Sequence, residues 1–155
     1  MVLDEFCLVF FAMHHISKSA IVPYSSEQMY HLVNSVESYP EFLNWCSGAS
    51  ILKQTPSQVT ASVAINKGVF KQSFTTVNTL HPFEKIHMQL QDGPFSHLQG
   101  DWIFTALRED ACKVELKLEF DFASRLVDMA ISPVFTSISN AQLDAFVARA
   151  RVVYG

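Results

Sequence analysis

Charged side chains are scarce in this sequence, and acidic residues outnumber basic ones. Asp, Glu, Lys and Arg make up 17% of the 155 residues, against about 25% in an average soluble protein. Hydrophobic residues make up 49%, and the formal net charge is −4 with histidine neutral. A chain with this balance lacks the overall basic character of a nucleic-acid-binding domain, so we expect no DNA partner.

Cysteine is rare and shows no pairing pattern. Cys7, Cys46 and Cys112 are odd in number and widely spaced, with no CxxC motif. This arrangement predicts neither a disulfide framework nor a zinc site. It is typical of a reducing compartment, and we predict a cytoplasmic protein with at most peripheral contact with the inner membrane.

No hydrophobic run is long enough to span a bilayer, which takes about 20 apolar residues. The longest N-terminal run, Phe6 to Met13, has eight residues and follows the acidic pair Asp4 and Glu5, whereas a signal peptide has a basic start. Two interpretations remain, a short membrane-adhesive tail and a start codon placed upstream of a true start at Met13. We favour the second and predict an extension over 1–13 and one domain over 14–154.

Motifs that carry catalysis are also missing. The six histidines do not have the HExxH spacing or another metal-ligand spacing, and the chain has no G-x-S-x-G, P-loop or dinucleotide fingerprint. The inward face of the best-patterned strand, Val114 to Phe122, carries none of the acids or bases that proton transfer to a substrate requires. We therefore predict a non-enzymatic protein with no catalytic residue, no metal site and no cofactor.

Aromatic residues, by contrast, are abundant, with 13 Phe in the chain. The segment SVESYPEFLNWC, residues 35–46, places Tyr39, Phe42 and Trp45 around Pro40 in a stretch unsuited to a regular helix. Connecting segments usually run over the surface and are polar there. This one is therefore expected to cover apolar surface, either of the fold or of a bound molecule.

Periodicity predicts one helix and several antiparallel strands in the middle of the chain. Ser25 and Gln28 have the capping-box spacing at the start of a helix. Apolar residues then alternate with polar ones over 59–65, 86–90 and 114–122. Strict alternation is typical of an antiparallel sheet with one wet face.

The last 30 residues change to a helical period. Ser132 and Pro133 predict a helix start, while a start near Arg125 would require a kink at Pro133. Apolar residues step by three and four through Ile138, Ala141, Ala145 and Ala148, and a second stripe contains Phe135, Phe146 and Val153. Small residues in the first stripe allow two interpretations, close approach to the sheet or room for a ligand, and we favour the second.

Four segments carry a family resemblance: LVNSVESYPEFLNWCSGASIL, FTTVNTL, MQLQDGPFSHLQGDWIFTAL and ACKVELKLEFDF. They resemble the START-like helix-grip family, in the branch that holds coenzyme-Q-binding proteins and bacterial ribosome association toxins, and are most similar to the toxin type. The resemblance covers 14–154. It implies an α+β fold in which a curved antiparallel sheet of six to seven strands wraps around a long C-terminal helix.

The same resemblance implies a cavity between sheet and helix for a lipophilic guest, with isoprenoid quinones such as ubiquinone as candidates. We predict such binding, in support of respiration, as the first function. The predicted cavity residues are Tyr39, Phe42, Trp45, Phe95, Trp102, Phe104, Phe120, Phe122, Ile138, Ala141, Ala145 and Ala148.

The alternative function implied by the resemblance is that of a toxin. Such a protein binds the large ribosomal subunit and blocks its association with the small subunit, and its activity is controlled by an antitoxin protein. Lys67 and Lys71 on a predicted hairpin are the candidate contacts, since lysine binds phosphate. Relatives tend to carry lysine where this chain has Ser96, His97 and Ile103, so a phosphate contact at that second edge is not expected.

Overall fold

The computed structural model describes residues 13–155, so the predicted extension, apart from Met13, and Cys7 lie outside the described residues. The helices are α1 (Ser26–Asn34), a short 3-10 helix (Val36–Glu41) and α2 (Arg125–Tyr154). The strands are β1 (His14–Val22), β2 (Cys46–Gln54), β3 (Gln58–Lys67), β4 (Phe70–His81), β5 (Lys85–Asp92), β6 (Phe95–Arg108) and β7 (Ala111–Phe122).

The seven strands form one curved antiparallel sheet in the order β1-β7-β6-β5-β4-β3-β2. From β2 to β7, each strand pairs with the next one along the chain, and β1 pairs with β7 at the far edge. The predicted α+β class and the predicted sheet are confirmed. Within residues 13–155, no helix has the length and apolar character needed to cross a membrane.

Helix α1 begins at the predicted capping box. The hydroxyl of Ser25 accepts the backbone N–H of Gln28 at 3.1 Å, and the Gln28 side chain accepts the backbone N–H of Ser25 at 2.9 Å. This exchange satisfies two of the amide donors that a helix start leaves without partners. Met29, Leu32 and Val33 then bury the inner face of the helix.

The alternating strands face as the pattern predicts. On β3, Val59, Ala61, Val63 and Ile65 are all buried. On β7, Val114, Leu116, Phe120 and Phe122 are buried, while the lysine and carboxylate residues between them stand on the other face. The concave face of the sheet is therefore apolar, and α2 covers it.

Helix α2 begins eight residues before the predicted Ser132-Pro133 start, so that prediction is wrong and the alternative near Arg125 holds. The hydroxyl of Ser124 caps the helix by accepting the backbone N–H of Val127 at 3.2 Å. Pro133 lies inside the helix and cannot donate to the carbonyl of Met129. Both residues are exposed, so water can satisfy that carbonyl.

The buried face of α2 also differs from the prediction. Ala141 and Ala148 are exposed, and Ala145 is only partly buried. Two stripes with helical spacing run side by side here, and the sheet takes the one with larger apolar side chains because these remove more surface from water. The buried residues of α2 are Ser132, Phe135, Ile138, Ser139, Leu143, Phe146 and Ala150.

Candidate functional site

A cavity of about 110 Å³ lies between α2 and the concave face of the sheet. Its wall is mostly apolar, and both tryptophans of the chain contribute to it. The lining residues are Val36, Tyr39, Trp45, Ala61, Val63, Phe74, Thr76, Asn78, Met88, Leu98, Trp102, Leu116, Leu118, Phe135, Ile138, Ser139 and Gln142.

Four neutral polar side chains interrupt the apolar wall. Thr76 and Asn78 come from β4, and the hydroxyl of Thr76 donates to Oδ1 of Asn78 at 2.8 Å. Ser139 and Gln142 come from α2, one turn apart. Oε1 of Gln142 is buried and has no hydrogen-bond partner within residues 13–155. The cavity thus combines apolar walls with a few polar groups, as ligand pockets do.

Among residues 13–155, the wall carries no charged side chain. The one titratable group that these residues place there is the phenol of Tyr39, and burial raises the pKa of Tyr39 far above its ordinary value. The Tyr39 hydroxyl donates to the carbonyl of Val33, near the end of α1. The described part of the wall therefore contains no carboxylate, imidazole or amine.

The aromatic segment 35–46 covers one end of α2. Tyr39 and Phe42 pack edge-on against Phe146, with ring centroids 5.3 and 5.1 Å away. The guanidinium carbon of Arg149 lies 5.1 Å from the centre of the Phe42 ring. The segment therefore buries apolar surface of the fold itself, and only Tyr39 and Trp45 of its aromatic residues reach the cavity.

Four of the predicted cavity residues stand in the wall: Tyr39, Trp45, Trp102 and Ile138. They come from the aromatic segment, from β6 and from α2. Their position agrees with the predicted location of the cavity between sheet and helix. That they contact a ligand stays a prediction.

The predicted phenylalanines at 95, 120 and 122 do not line the cavity. They pack around Phe135 instead, with Phe120 and Phe95 at 4.7 and 5.0 Å between ring centroids, and Phe95 stacks on Phe122 at 4.9 Å. Edge-to-face packing of this kind closes the space that a ligand would need.

The remaining predicted cavity residues also lie elsewhere. Phe104 is buried beside Tyr30 and faces a separate surface groove near the start of α1. Phe42 packs on Phe146, and Ala145 packs against the core without reaching the cavity. Ala141 and Ala148 are exposed. All of these belong to packing or to the surface in this structure.

The polar residues of the cavity were missed at the sequence level. A signal existed on β4, where the two-residue period that carries Phe74 inward also carries Thr76 and Asn78 inward. On α2, Ser139 and Gln142 fall next to Phe135 and Ile138 at helical spacing. Polar residues at inward positions are informative because burying them without partners is unfavourable.

Lys67 and Lys71 stand on the hairpin between β3 and β4. Both are exposed, and within residues 13–155 neither lies within salt-bridge distance of a carboxylate. Gly68 adopts a positive φ of 62° at the turn, and Val69 beside it is fully exposed. The hairpin tip therefore presents two cations and one apolar side chain to solvent.

Histidines on the convex face of the sheet pair with carboxylates. His87 Nδ1 lies 2.8 Å from Asp101, and His97 Nε2 lies 3.0 Å from Glu119, which Gln99 also contacts. These groups do not assemble a metal site: in the part of the chain that the structure describes, no cluster of three or more His, Cys, Asp or Glu is suited to hold an ion.

Two of the three cysteines are buried as free thiols. Cys46 and Cys112 form no disulfide within residues 13–155. Burial raises the pKa of the Cys112 thiol to about 11 and also raises that of Cys46. Both therefore stay protonated at neutral pH and behave as core residues.

Comparison with known proteins gives consistent results. The family model described as polyketide cyclase / dehydrase and lipid transport matches residues 22–147. The ribosome association toxin RatA of Vibrio cholerae is 48% identical over 92% of this chain and 99% of its own length. The mitochondrial coenzyme Q-binding protein COQ10 homolog B of Xenopus laevis is 26% identical over 90% of this chain and 59% of its own length.

The fold has close neighbours among solved structures. A START superfamily protein from Mycobacterium smegmatis superposes with a TM-score of 0.75, covering 90% of this chain and 99% of that one, at 20% identity. The sheet that wraps around a C-terminal helix is thus the START fold. With the matching family model and the 48% identical relative, this chain belongs to the START-like polyketide cyclase and lipid transport family.

Proposed function

We propose that this chain acts on ribosome association in the cytoplasm, as a toxin of the RatA type. The observation that carries the proposal is the 48% identity to the Vibrio cholerae toxin across nearly the full length of both chains. The expected action is binding to the large ribosomal subunit in a way that keeps the small subunit from joining.

Sedimentation of ribosomes tests this proposal directly. Purified protein is added to a bacterial extract at increasing concentration, and subunits are separated from monosomes on sucrose gradients. We expect monosomes to fall, free subunits to rise and the protein to travel with the large subunit. An unchanged gradient at saturating protein, with the chain left at the top, would contradict the proposal.

The hairpin tip is the first surface to examine. Lys67 and Lys71 are exposed without carboxylate partners within residues 13–155, so both can approach phosphate. A Lys67→Glu, Lys71→Glu double variant should weaken sedimentation with the large subunit and lower its salt dependence. The control reverses two exposed lysines on other strands, Lys18→Glu with Lys53→Glu. Equal loss in both double variants would indicate net charge as the cause and remove the hairpin from consideration.

A second candidate function is the binding of a hydrophobic molecule without catalysis, and the cavity favours it. Apolar walls with a few polar groups, and no carboxylate, imidazole or amine among the described residues, suit retention of a guest more than its conversion. The 26% identical relative named for coenzyme Q binding supports an isoprenoid quinone as the guest. The two functions are compatible in one chain.

The size of the cavity limits how such a molecule would fit. Ligand pockets for drug-sized molecules are about 300–1,000 Å³. At about 110 Å³, this cavity is smaller than a substituted quinone requires. The guest would therefore have to widen it by displacing some of the lining side chains.

Extraction of the purified protein tests this second function. The chain is expressed in a quinone-replete bacterium, extracted with organic solvent and analysed by mass spectrometry. Ala61→Leu should abolish the bound quinone, because Ala61 lines the cavity and the larger leucine side chain would fill part of it. Ala64→Leu adds the same volume at a β3 position outside the cavity lining and should leave the content unchanged. A well-folded wild type that carries no lipid would contradict retention of a quinone.

A further inference from the structure

The unpaired oxygen of Gln142 restricts what the cavity can hold. Oε1 of Gln142 is buried and lacks a donor within residues 13–155. A buried acceptor without a partner costs roughly as much as a lost hydrogen bond. Such a group in a cavity is explained when an occupant supplies the donor.

Within residues 13–155, none of its polar neighbours donates a hydrogen bond to this oxygen. The Thr76 hydroxyl donates to Oδ1 of Asn78, so its one proton is committed. That same bond occupies the carbonyl oxygen of Asn78 and leaves its amide N–H groups as the remaining donors of the pair. The β4 side of the cavity is thus richer in donors, and Gln142 on α2 contributes an acceptor.

The charge of the lining side chains limits the charge that an occupant of the cavity can carry. Among residues 13–155, no acidic or basic side chain lines the cavity, so a carboxylate, phosphate or ammonium would enter without a counter-charge from them. Burying an unpaired ion is far more costly than burying a neutral polar group. Fatty acids and phospholipid head groups are therefore poor occupants, and neutral molecules are favoured.

We propose that the cavity selects an uncharged, mainly apolar molecule bearing a hydroxyl group that donates to Oε1 of Gln142. A phenol or a hydroquinone has such a donor, whereas a quinone carbonyl can only accept. For an isoprenoid quinone, the reduced quinol would thus be preferred over the oxidised form. This inference rests on the second candidate function, retention of a hydrophobic molecule.

Paired probes that differ in one group test the proposal. Para-pentylphenol and para-pentyltoluene have similar size, and only the first can donate a hydrogen bond. Equilibrium dialysis gives the dissociation constant of each for wild type, Gln142→Leu and the control Gln89→Leu, which makes the same change at an exposed β5 position outside the cavity lining. Gln142→Met is a second apolar replacement of similar length, and circular dichroism checks the fold of each variant.

We expect the preference for the phenol over the toluene to fall about three- to tenfold in both Gln142 variants, the net value of one hydrogen bond. Gln89→Leu should keep the wild-type preference. A short-chain ubiquinol and its ubiquinone, compared under anaerobic conditions, should show the same direction.

Two other outcomes separate the possible failures. If wild type and the Gln142 variants bind the probes with the same preference, the phenol does not donate to the Gln142 oxygen. This result would contradict the inference and leave the binding of a hydrophobic molecule supported. Occupation of the oxygen by water would give that result. If a folded wild type binds neither probe, retention of a hydrophobic molecule falls, and this inference falls with it.

Discussion

Ser25 and Ser26 are neighbours at the start of α1, yet their hydroxyl groups have opposite surroundings. The Ser25 hydroxyl accepts the Gln28 backbone N–H at 3.1 Å. The Ser26 hydroxyl is buried and has no hydrogen-bond partner within residues 13–155. The Ser25 hydroxyl should therefore stabilise the protein, whereas the Ser26 hydroxyl should destabilise it.

Replacing each serine by alanine measures this difference. Ser25→Ala removes the helix cap and should lower the free energy of unfolding by about 1 kcal/mol. Ser26→Ala removes a buried hydroxyl without a partner and should leave that free energy unchanged or raise it by up to ~1 kcal/mol. Urea denaturation of both variants provides the measurement. Equal destabilisation by the two changes would show that Ser26 has a partner.

Gly100 on β6 lies where no side chain fits. A Cβ there would stand 2.4 Å from the carbonyl oxygen of Lys117 and 3.1 Å from Cα of Leu118. Since both contacts are with backbone, Gly100→Ala should force β6 from β7 and cost more than ~2 kcal/mol of unfolding free energy. Gly48→Ala is the control, because its nearest new contact is Ala64 Cβ at 3.9 Å. Thermal unfolding should separate the two variants, and similar melting temperatures would refute the prediction.

Tyr39 links the aromatic segment to the end of α1. Its hydroxyl donates to the Val33 carbonyl, one of the last four carbonyls that a helix leaves without intrahelical partners. Tyr39→Phe keeps the ring on Phe146 and should lower the free energy of unfolding by about 1 kcal/mol. Tyr30→Phe, with no hydrogen bond from Tyr30 among the described residues, should have little effect in the same urea titration. No difference between the variants would indicate that the Val33 bond is not stabilising.

Glu119 is expected to make stability depend on acid. Hydrogen bonds from His97 and then Gln99 lower its pKa below the ordinary 4.5, against the opposing effect of burial. A carboxyl group with a lowered folded-state pKa stabilises the protein above its unfolded-state pKa, and this contribution is lost as pH falls through the folded-state pKa. The stability difference between wild type and Glu119→Gln should therefore shrink on acidification below 4.5.

Carbon-detected NMR titration measures the pKa of Glu119 itself. His97→Ala removes the first of its hydrogen bonds and should raise that pKa toward the ordinary value. His81→Ala, which removes an exposed histidine at the end of β4, should not move it. A Glu119 pKa that stays the same without His97 would assign the shift to Gln99 instead.

The features that were predictable from sequence depend on contacts close along the chain. The Ser25–Gln28 box spans three residues, and the alternation on β3 and β7 records only that one face is buried. The capping box and the alternation are each complete within a short segment, so predicting them required no knowledge of distant packing. The overall arrangement of helices and strands was predicted from the family resemblance instead.

The orientation of α2 was not predictable in this way. Its sequence contains two stripes with helical spacing, and burial by the sheet decides between Phe135 with Phe146 and Ala141 with Ala148. The inward position of the polar cavity residues was not predictable for the same reason. Whether Asn78 or Gln142 meets solvent or a cavity depends on how closely α2 approaches β4, which neither segment encodes alone.

The order of strands in the sheet has a consequence for how the chain folds. Strands β2 to β7 can pair one after another as successive hairpins, but the one described partner of β1 is β7, so that His14 pairs with Phe120. Closing so long a loop costs entropy before any contact repays it, which slows folding. During synthesis, β1 leaves the exit tunnel before β2 to β7, and its residues Ile16 and Val22 have no partner strand until β7 has followed. An unpaired apolar strand of this kind is prone to aggregate, so the newly made protein is expected to depend on chaperones.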